Sequence, residues 1–236
     1  MPKPSILGSL AIISVSVAGC GSEDPVKFDR ELAGESGGTG AGVRGSAAPD
    51  YPGPPYGFAI GSTVANFEFY GWRDPAAAGF DTGRLEKLSL ADYYDPDGSK
   101  GSKLLHINVS AVWCGFCRAE HEGGTYQTDS GLITYIPLEE EVGSRYDAGL
   151  RYLGSLVQDN AGGPATLLDL QVWAKEYELG IPFALDPAFK LAPLRTDDNS
   201  WPINFVISTR DMKVLNKIIG ADPDSLWGAI DRRLAE

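Results

Sequence analysis

The spacing of apolar and polar positions changes several times along the chain, and each change marks an element. Phe67 and Phe69 alternate with polar neighbours, as in a half-buried strand, and Leu88-Ser89-Leu90 gives a second short extended or turn segment. Leu104 to Val109 (Leu-Leu-His-Ile-Asn-Val) predicts a buried strand, and a helix is predicted to start at Cys114. Glu122 to about Tyr135 is rich in Gly and Thr and reads as an insertion, over about 122–136, that interrupts or follows that helix. Pro137 to Tyr146 predicts a helix with Glu139, Glu140 and Glu141 in its first turn, the end where the helix dipole favours anions. Arg151 to Gln158 reads as a second central strand. Thr166-Leu167-Leu168-Asp169 has capping-box spacing and opens a helix expected to stop at Gly180. Ile203 to Ser208 is an apolar strand, and Thr209-Arg210-Asp211 a turn. Lys213 to Ile219 is a further strand, antiparallel to its predecessor because the connection is so short. Asp222-Pro223 caps a final helix on which Leu226, Ile230 and Leu234 share a face. The order strand–helix–strand–helix–strand–strand–helix predicts an α/β fold, a central mixed β-sheet flanked by helices, with an N-terminal strand extension.

Ahead of this pattern, residues 1–19 carry one early cation (Lys3), an apolar run from Ile6 to Val17, and then small residues. This is the layout of a secretory signal, with a run too short to span as a stable transmembrane helix. The string Val17-Ala18-Gly19-Cys20 resembles a bacterial lipobox, a signal cut before the cysteine, which then carries lipid on its sulfur and α-amino group. An uncleaved anchor, or an ordinary signal with a spare cysteine, is the alternative. Residues 20–58 are rich in Gly, Ser, Pro, Ala and charge and show no helical or strand period. They read as a lipid-anchored flexible tether, which at about 5–6 Å × √n reaches roughly 35 Å. The folded domain is expected over 59–236.

Composition removes several function classes. At 43% hydrophobic content the 236-residue chain has enough apolar material for a core. A net charge of −12 without a Lys- or Arg-rich block argues against nucleic acid and against electrostatic binding to anionic lipid. There are three cysteines. If Cys20 is lipidated, Cys114 and Cys117 remain, side by side, which favours a redox pair over a scaffold staple. Half of a zinc site is the competing reading. Zinc needs about four ligands; the only imidazoles are His106 and His121, and no second cysteine pair completes a knuckle. Neither a metal nor an organic cofactor is expected.

The stretch Trp113-Cys114-Gly115-Phe116-Cys117 carries the chemistry. A Cys-x-x-Cys at a strand-to-helix junction puts the first sulfur at the helix N-terminus, where unpaired N–H groups and the dipole favour thiolate. Thiolate is the species that attacks disulfides.

This order of elements, with Trp-Cys-x-x-Cys at the first helix and a proline opening the strand of the later hairpin, resembles the thioredoxin fold. Within the wider AhpC/TSA–redoxin superfamily the chain is most similar to the TlpA/ResA-type branch of membrane-tethered bacterial thioredoxin-like proteins. The resemblance rests on Gly61 through Phe69, Leu88 through Tyr93, Leu104 through Glu120, Gly149 through Asp159 and Trp201 through Lys213. It implies that Cys114 is the solvent-facing nucleophile, that Cys117 is the more buried resolving thiol, and that the two form the redox disulfide Cys114–Cys117. It implies that Pro202 is a cis-proline beside the cysteines, presenting backbone groups to an incoming strand; a trans proline at a strand's first residue is the alternative. It also implies that Glu120, three residues after Cys117, lies close to the active site, where a carboxylate raises a thiol's pKa and takes its proton during resolution. A solvated helix glutamate is the bland reading.

Two departures stand out. Gly115-Phe116 replaces the x-Pro pairs common in the family, and Trp201 stands where smaller or β-branched residues are usual. Trp113, Phe116, Trp201 and Pro202 form the expected substrate groove, with ordinary core packing as the alternative for each aromatic. Thioredoxin's buried Asp has no clear counterpart. The nearest polar residue on the preceding strand is Asn108, an amide that cannot accept a proton. His106 reads as a satisfied core or edge histidine, and nothing ties His121 or Arg118 to the chemistry.

The expected function is an envelope thiol–disulfide oxidoreductase, reducing by family analogy. Its expected partners are a protein disulfide or dithiol substrate and a membrane electron-donor protein. The protein is expected to be a monomer, lipid-anchored through Cys20, facing the periplasm, on the outer rather than the inner membrane because Gly21, not Asp, follows the cysteine. A thiol peroxidase is the first alternative, but it needs Pro and Thr or Ser where Ile107 and Ala111 stand. A non-catalytic copper chaperone or binding module on the same scaffold is the second; that class needs cysteines separated by three residues and a later histidine, whereas two residues separate Cys114 from Cys117 and no histidine follows His121.

Overall fold

The computed structural model describes residues 50–129, 131–191 and 201–236. The signal segment, Cys20 and the tether as far as residue 49 lie outside the described residues.

The fold is built outward from β3 (Leu104–Ala111), whose eight residues are all buried. It pairs in parallel with β6 (Leu150–Gln158) and antiparallel with β8 (Ile203–Ser208). Strands β1 (Glu68–Trp72), β2 (Glu86–Ser89), β7 (Phe183–Leu185) and β9 (Val214–Ile219) complete a seven-stranded mixed sheet in the order β2-β1-β7-β6-β3-β8-β9. The helices are α1 (Gly115–Glu122), α2 (Leu138–Arg145), α3 (Leu167–Glu176) and α4 (Pro223–Leu234). This is the expected central mixed sheet flanked by helices.

Strand alternation sorts β3 into two sets. Leu105, Ile107 and Val109 face a core shared with Phe58, Phe67, Phe69, Phe205 and Met212. Leu104, His106, Asn108 and Ser110 face the other way. There, α4 packs Leu226, Ile230 and Leu234 on Leu104 and Leu150, and α1, α2 and α3 cover Tyr152, Leu156 and Phe183. Gly154 is required where the Phe183 ring crosses β6, since a Cβ there would sit 2.2 Å from two ring carbons.

Four features differ from the reading of the sequence. Residues 51–58, assigned to the tether, pack on the domain. Tyr51 donates its hydroxyl to Val64 O at 2.9 Å, and Phe58 stacks on Phe67 at 6.1 Å. Aromatic side chains in a Pro-rich stretch supply the apolar area that holds it down. The insertion is a hairpin, β4 (Gly124–Thr128) with β5 (Gly131–Tyr135), lying against α1 and α4. It opens at Gly123, whose φ of 71° and contact with Pro137 leave no room for a side chain. Strand β7 was missed because three buried residues are too few to show a period. Helix α3 ends at Glu176 rather than Gly180, because Glu178 already stands in the left-handed region at φ 47°.

Candidate active site

Cys114 is the N-cap of α1, and its Sγ accepts the Cys117 N–H at 3.0 Å. The two sulfurs are joined as a disulfide with the Cα atoms 5.3 Å apart. Breaking that bond leaves Cys114 Sγ beside a backbone donor at the positive end of a helix, a setting that favours thiolate. The expectation of a solvent-facing Cys114 is corrected: its residue exposure is 4%, against 0% for Cys117. Both belong to the apolar cluster of α1, α2 and α3, on which Val112, Phe116 and Trp201 pack as partly buried residues. The Trp201–Pro202 bond is cis, and Pro202 O accepts Gly220 N–H at 2.8 Å at the start of β8. Trp113 immediately precedes Cys114 in the chain. It is 36% exposed, and its indole N–H donates to Gln158 Oε1 at 3.0 Å, at the end of β6.

Glu120 follows Cys117 by one helical turn on the same face. It is 6% exposed, so it is not a solvated helix residue. Its carboxylate is held from two strands: Asn108 Nδ2 donates to Oε2 at 2.7 Å, and Asn204 Nδ2 to Oε1 at 3.0 Å. Desolvation pushes its pKa up to about 7, against the lowering effect of the Asn204 and Asn108 donors. A carboxylate poised there exchanges protons near neutrality.

The amides are themselves held from behind. Ser110 Oγ donates to Asn108 Oδ1 at 2.7 Å, Asn108 Nδ2 also donates to Asn204 Oδ1 at 2.9 Å, and His106 Nε2 lies 2.7 Å from the same Oδ1. Sequence reasoning passed over Asn204 and dismissed Asn108 as unable to accept a proton. Asn108 acts instead as a donor. A legible signal was available: His106, Asn108 and Ser110 alternate along one face of a strand otherwise made of aliphatic residues, and Asn204 sits opposite Asn108 in register. His121 packs among Trp173, Tyr177 and Phe183, accepts the Trp173 indole N–H at 3.4 Å, and is pushed down to about 3 by burial. Among the described residues no group of three or more His, Cys, Asp and Glu side chains is arranged to hold a metal ion, and no helix is long and apolar enough to cross a membrane.

No protein-family model matches the chain, and no curated protein matches it. Among solved structures, the chain is similar to one described as a thiol:disulfide interchange protein DsbE from Chlorobium tepidum. Identity is 16%, the TM-score 0.50, and the match covers 75% of this chain and 99% of that one. A DsbF homologue from Corynebacterium diphtheriae aligns at 18% identity and TM-score 0.49, over 75% of this chain and 90% of that one. AhpC from Enterococcus faecalis aligns at 13% identity and TM-score 0.48, over the same two shares. At these identities the likeness is one of fold: the chain has a thioredoxin-like fold.

Proposed function

We propose that the protein is a thiol–disulfide oxidoreductase of the TlpA/ResA type that reduces disulfides of partner proteins in the cell envelope. The observation that carries this reading is the disulfide Cys114–Cys117 at the N-terminus of α1, with the buried Glu120 one turn further along the helix. In the reduced protein the Cys114 thiolate attacks one sulfur of a partner disulfide. The Cys114–S–S–partner bond forms and the other partner sulfur leaves as thiolate. Glu120 takes the proton of Cys117, whose thiolate then attacks Cys114 Sγ. The mixed disulfide breaks, the second partner sulfur leaves as thiolate, and the Cys114–Cys117 bond forms. Two electrons pass to the partner. A membrane electron-donor protein restores the dithiol.

The lipobox-like string ending at Cys20 supports attachment of the mature chain to the outer membrane through lipid on that residue, facing the periplasm. Trp113, Phe116, Trp201 and cis-Pro202 line the approach to the sulfurs and bind the partner's chain. A redox titration with thiol trapping tests the reading, on wild type and Cys114→Ala. Interconversion of dithiol and disulfide, with a Cys117→Ala variant accumulating mixed disulfides, supports it. A pair that never interchanges overturns it.

A further inference from the structure

The buried polar network around Glu120 has a direction. Carboxylate oxygens only accept, so both amides must turn their NH2 groups toward Glu120. Asn204 Oδ1 then faces away, toward Asn108 Nδ2 at 2.9 Å and His106 Nε2 at 2.7 Å, and an amide oxygen there requires a donor from the ring. His106 therefore carries its proton on Nε2. Its Nδ1 is buried with no hydrogen-bond partner, so the other tautomer would place an N–H where nothing accepts it. The ring is fixed by edge contacts with Tyr152 at 5.3 Å and Trp227 at 5.4 Å, and the residue is fully buried.

We propose that His106 is a positioning residue for Glu120, acting through Asn204. By donating to Asn204 Oδ1 it locks the amide with Nδ2 on Glu120 Oε1, and so favours the carboxylate over the protonated acid. This rests on the reading of Glu120 as the proton acceptor for Cys117. Without the ring N–H, only the Asn108 donor opposes a turn of Asn204 that would bring its oxygen to Glu120, where it would accept from a protonated carboxyl and hold the proton there. The locked amide offers a protonated Glu120 no such acceptor, so Glu120 holds the proton taken from Cys117 less tightly. Burial pushes His106 down to about 4, so the ring stays neutral and its donor is constant through the working range of the thiols. The other titratable groups that feel the Glu120 charge are Tyr135 on the hairpin and Tyr152 on β6, with Cys117 one turn earlier on α1. Both phenols are raised by burial and by the Glu120 charge and remain neutral alongside it.

The test is the pH profile of Cys117 alkylation by iodoacetamide in the full chain carrying Cys114→Ala, read on the Cys117 peptide by mass spectrometry so that Cys20 is separate. His106→Phe keeps a ring but loses the donor; His106→Gln keeps a donor. The Glu120-dependent inflection is expected to rise by about one pH unit in His106→Phe, a tenfold change in proton affinity, and to stay at the wild-type position in His106→Gln. If His106→Phe superimposes on wild type while Glu120→Gln loses the inflection, the proposal is overturned and the reading of Glu120 stands. If both His106 variants shift alike, the donor role is overturned. If Glu120→Gln leaves the inflection in place, the reading of Glu120 itself fails. A measurement on wild type needs no variant to fold: the long-range 1H–15N spectrum of His106 is expected to show the Nε2–H tautomer from about pH 5 to pH 9, and an Nδ1–H tautomer overturns the proposal.

Discussion

Asn108 Nδ2 stands 2.7 Å from Glu120 Oε2 and 2.9 Å from Asn204 Oδ1, so one amide group ties together the strand before the cysteines, the helix that carries them and the strand after cis-Pro202. Replacing it with an apolar residue of similar volume, Asn108→Leu, leaves Glu120 with one donor in an apolar site. The Glu120 carboxyl should then titrate above its value of about 7 in the oxidised chain, where the cysteines do not titrate. Carboxyl carbon chemical shifts followed against pH read this directly. The fold should lose about 1–3 kcal/mol, the cost of unsatisfied buried groups. An unmoved Glu120 titration would mean that Asn108 does not hold the carboxylate.

Stability against pH carries a second signature, because buried acids and buried histidines act with opposite sign. His106 and His121 are pushed down to about 4 and about 3, so the unfolded chain binds more protons below about pH 6.5 and stability rises with pH up to there. Glu120 and Asp186 are pushed up to about 7 and about 6, so the folded chain binds more protons and stability falls as pH climbs through those values. Each group contributes a slope of up to about 1.4 kcal/mol per pH unit. Two against two, they give a plateau between about pH 5 and pH 6. In Glu120→Gln one falling component is gone, and urea denaturation should show stability rising across the same window. A flat profile in the variant would count against a buried, ionisable Glu120.

Trp113 is placed by a single hydrogen bond to Gln158, 3.0 Å long, while much of its ring remains exposed beside the cysteines. Gln158→Leu removes that acceptor without touching either thiol. Reduction of a folded protein disulfide should slow by about fivefold, the worth of about 1 kcal/mol. Reduction of a small symmetrical disulfide, which needs no groove, should be nearly unchanged. Equal losses on both substrates would instead place the effect on the cysteines.

Two glycines give a contrast in packing. Gly154→Ala drives a methyl into the Phe183 ring and should destabilise the fold by about 1–3 kcal/mol, as overpacked cores do. Gly143→Ala, on α2 where a Cβ meets nothing within 4 Å, should stabilise it by about 0.5–1 kcal/mol through helix propensity. Urea denaturation midpoints with matched slopes separate the two.

Elements whose signals are local could be placed along the chain without its fold. The run Leu104 to Val109 reads as a buried strand, which β3 is. The Thr166 capping box and Asp222-Pro223 marked helix starts that the hydrogen bonds reproduce. Periodicity and capping depend on residues within a few positions of one another, so they are legible along the chain. Other features depend on neighbours distant in sequence and take shape only when the chain folds. Phe58 belongs to the core because Phe67 and Phe205 come to meet it, and Cys114 is buried within a cluster that draws on residues from α1, α2, α3 and β6. The environment of Glu120 is the clearest case. Its neighbours Asn108 and Asn204 lie 12 and 84 positions away, and His106 stands behind them. Burial strengthens both the penalty on the charge and the hydrogen bonds that offset it, and neither can be read until strand pairing sets the amides beside the carboxylate.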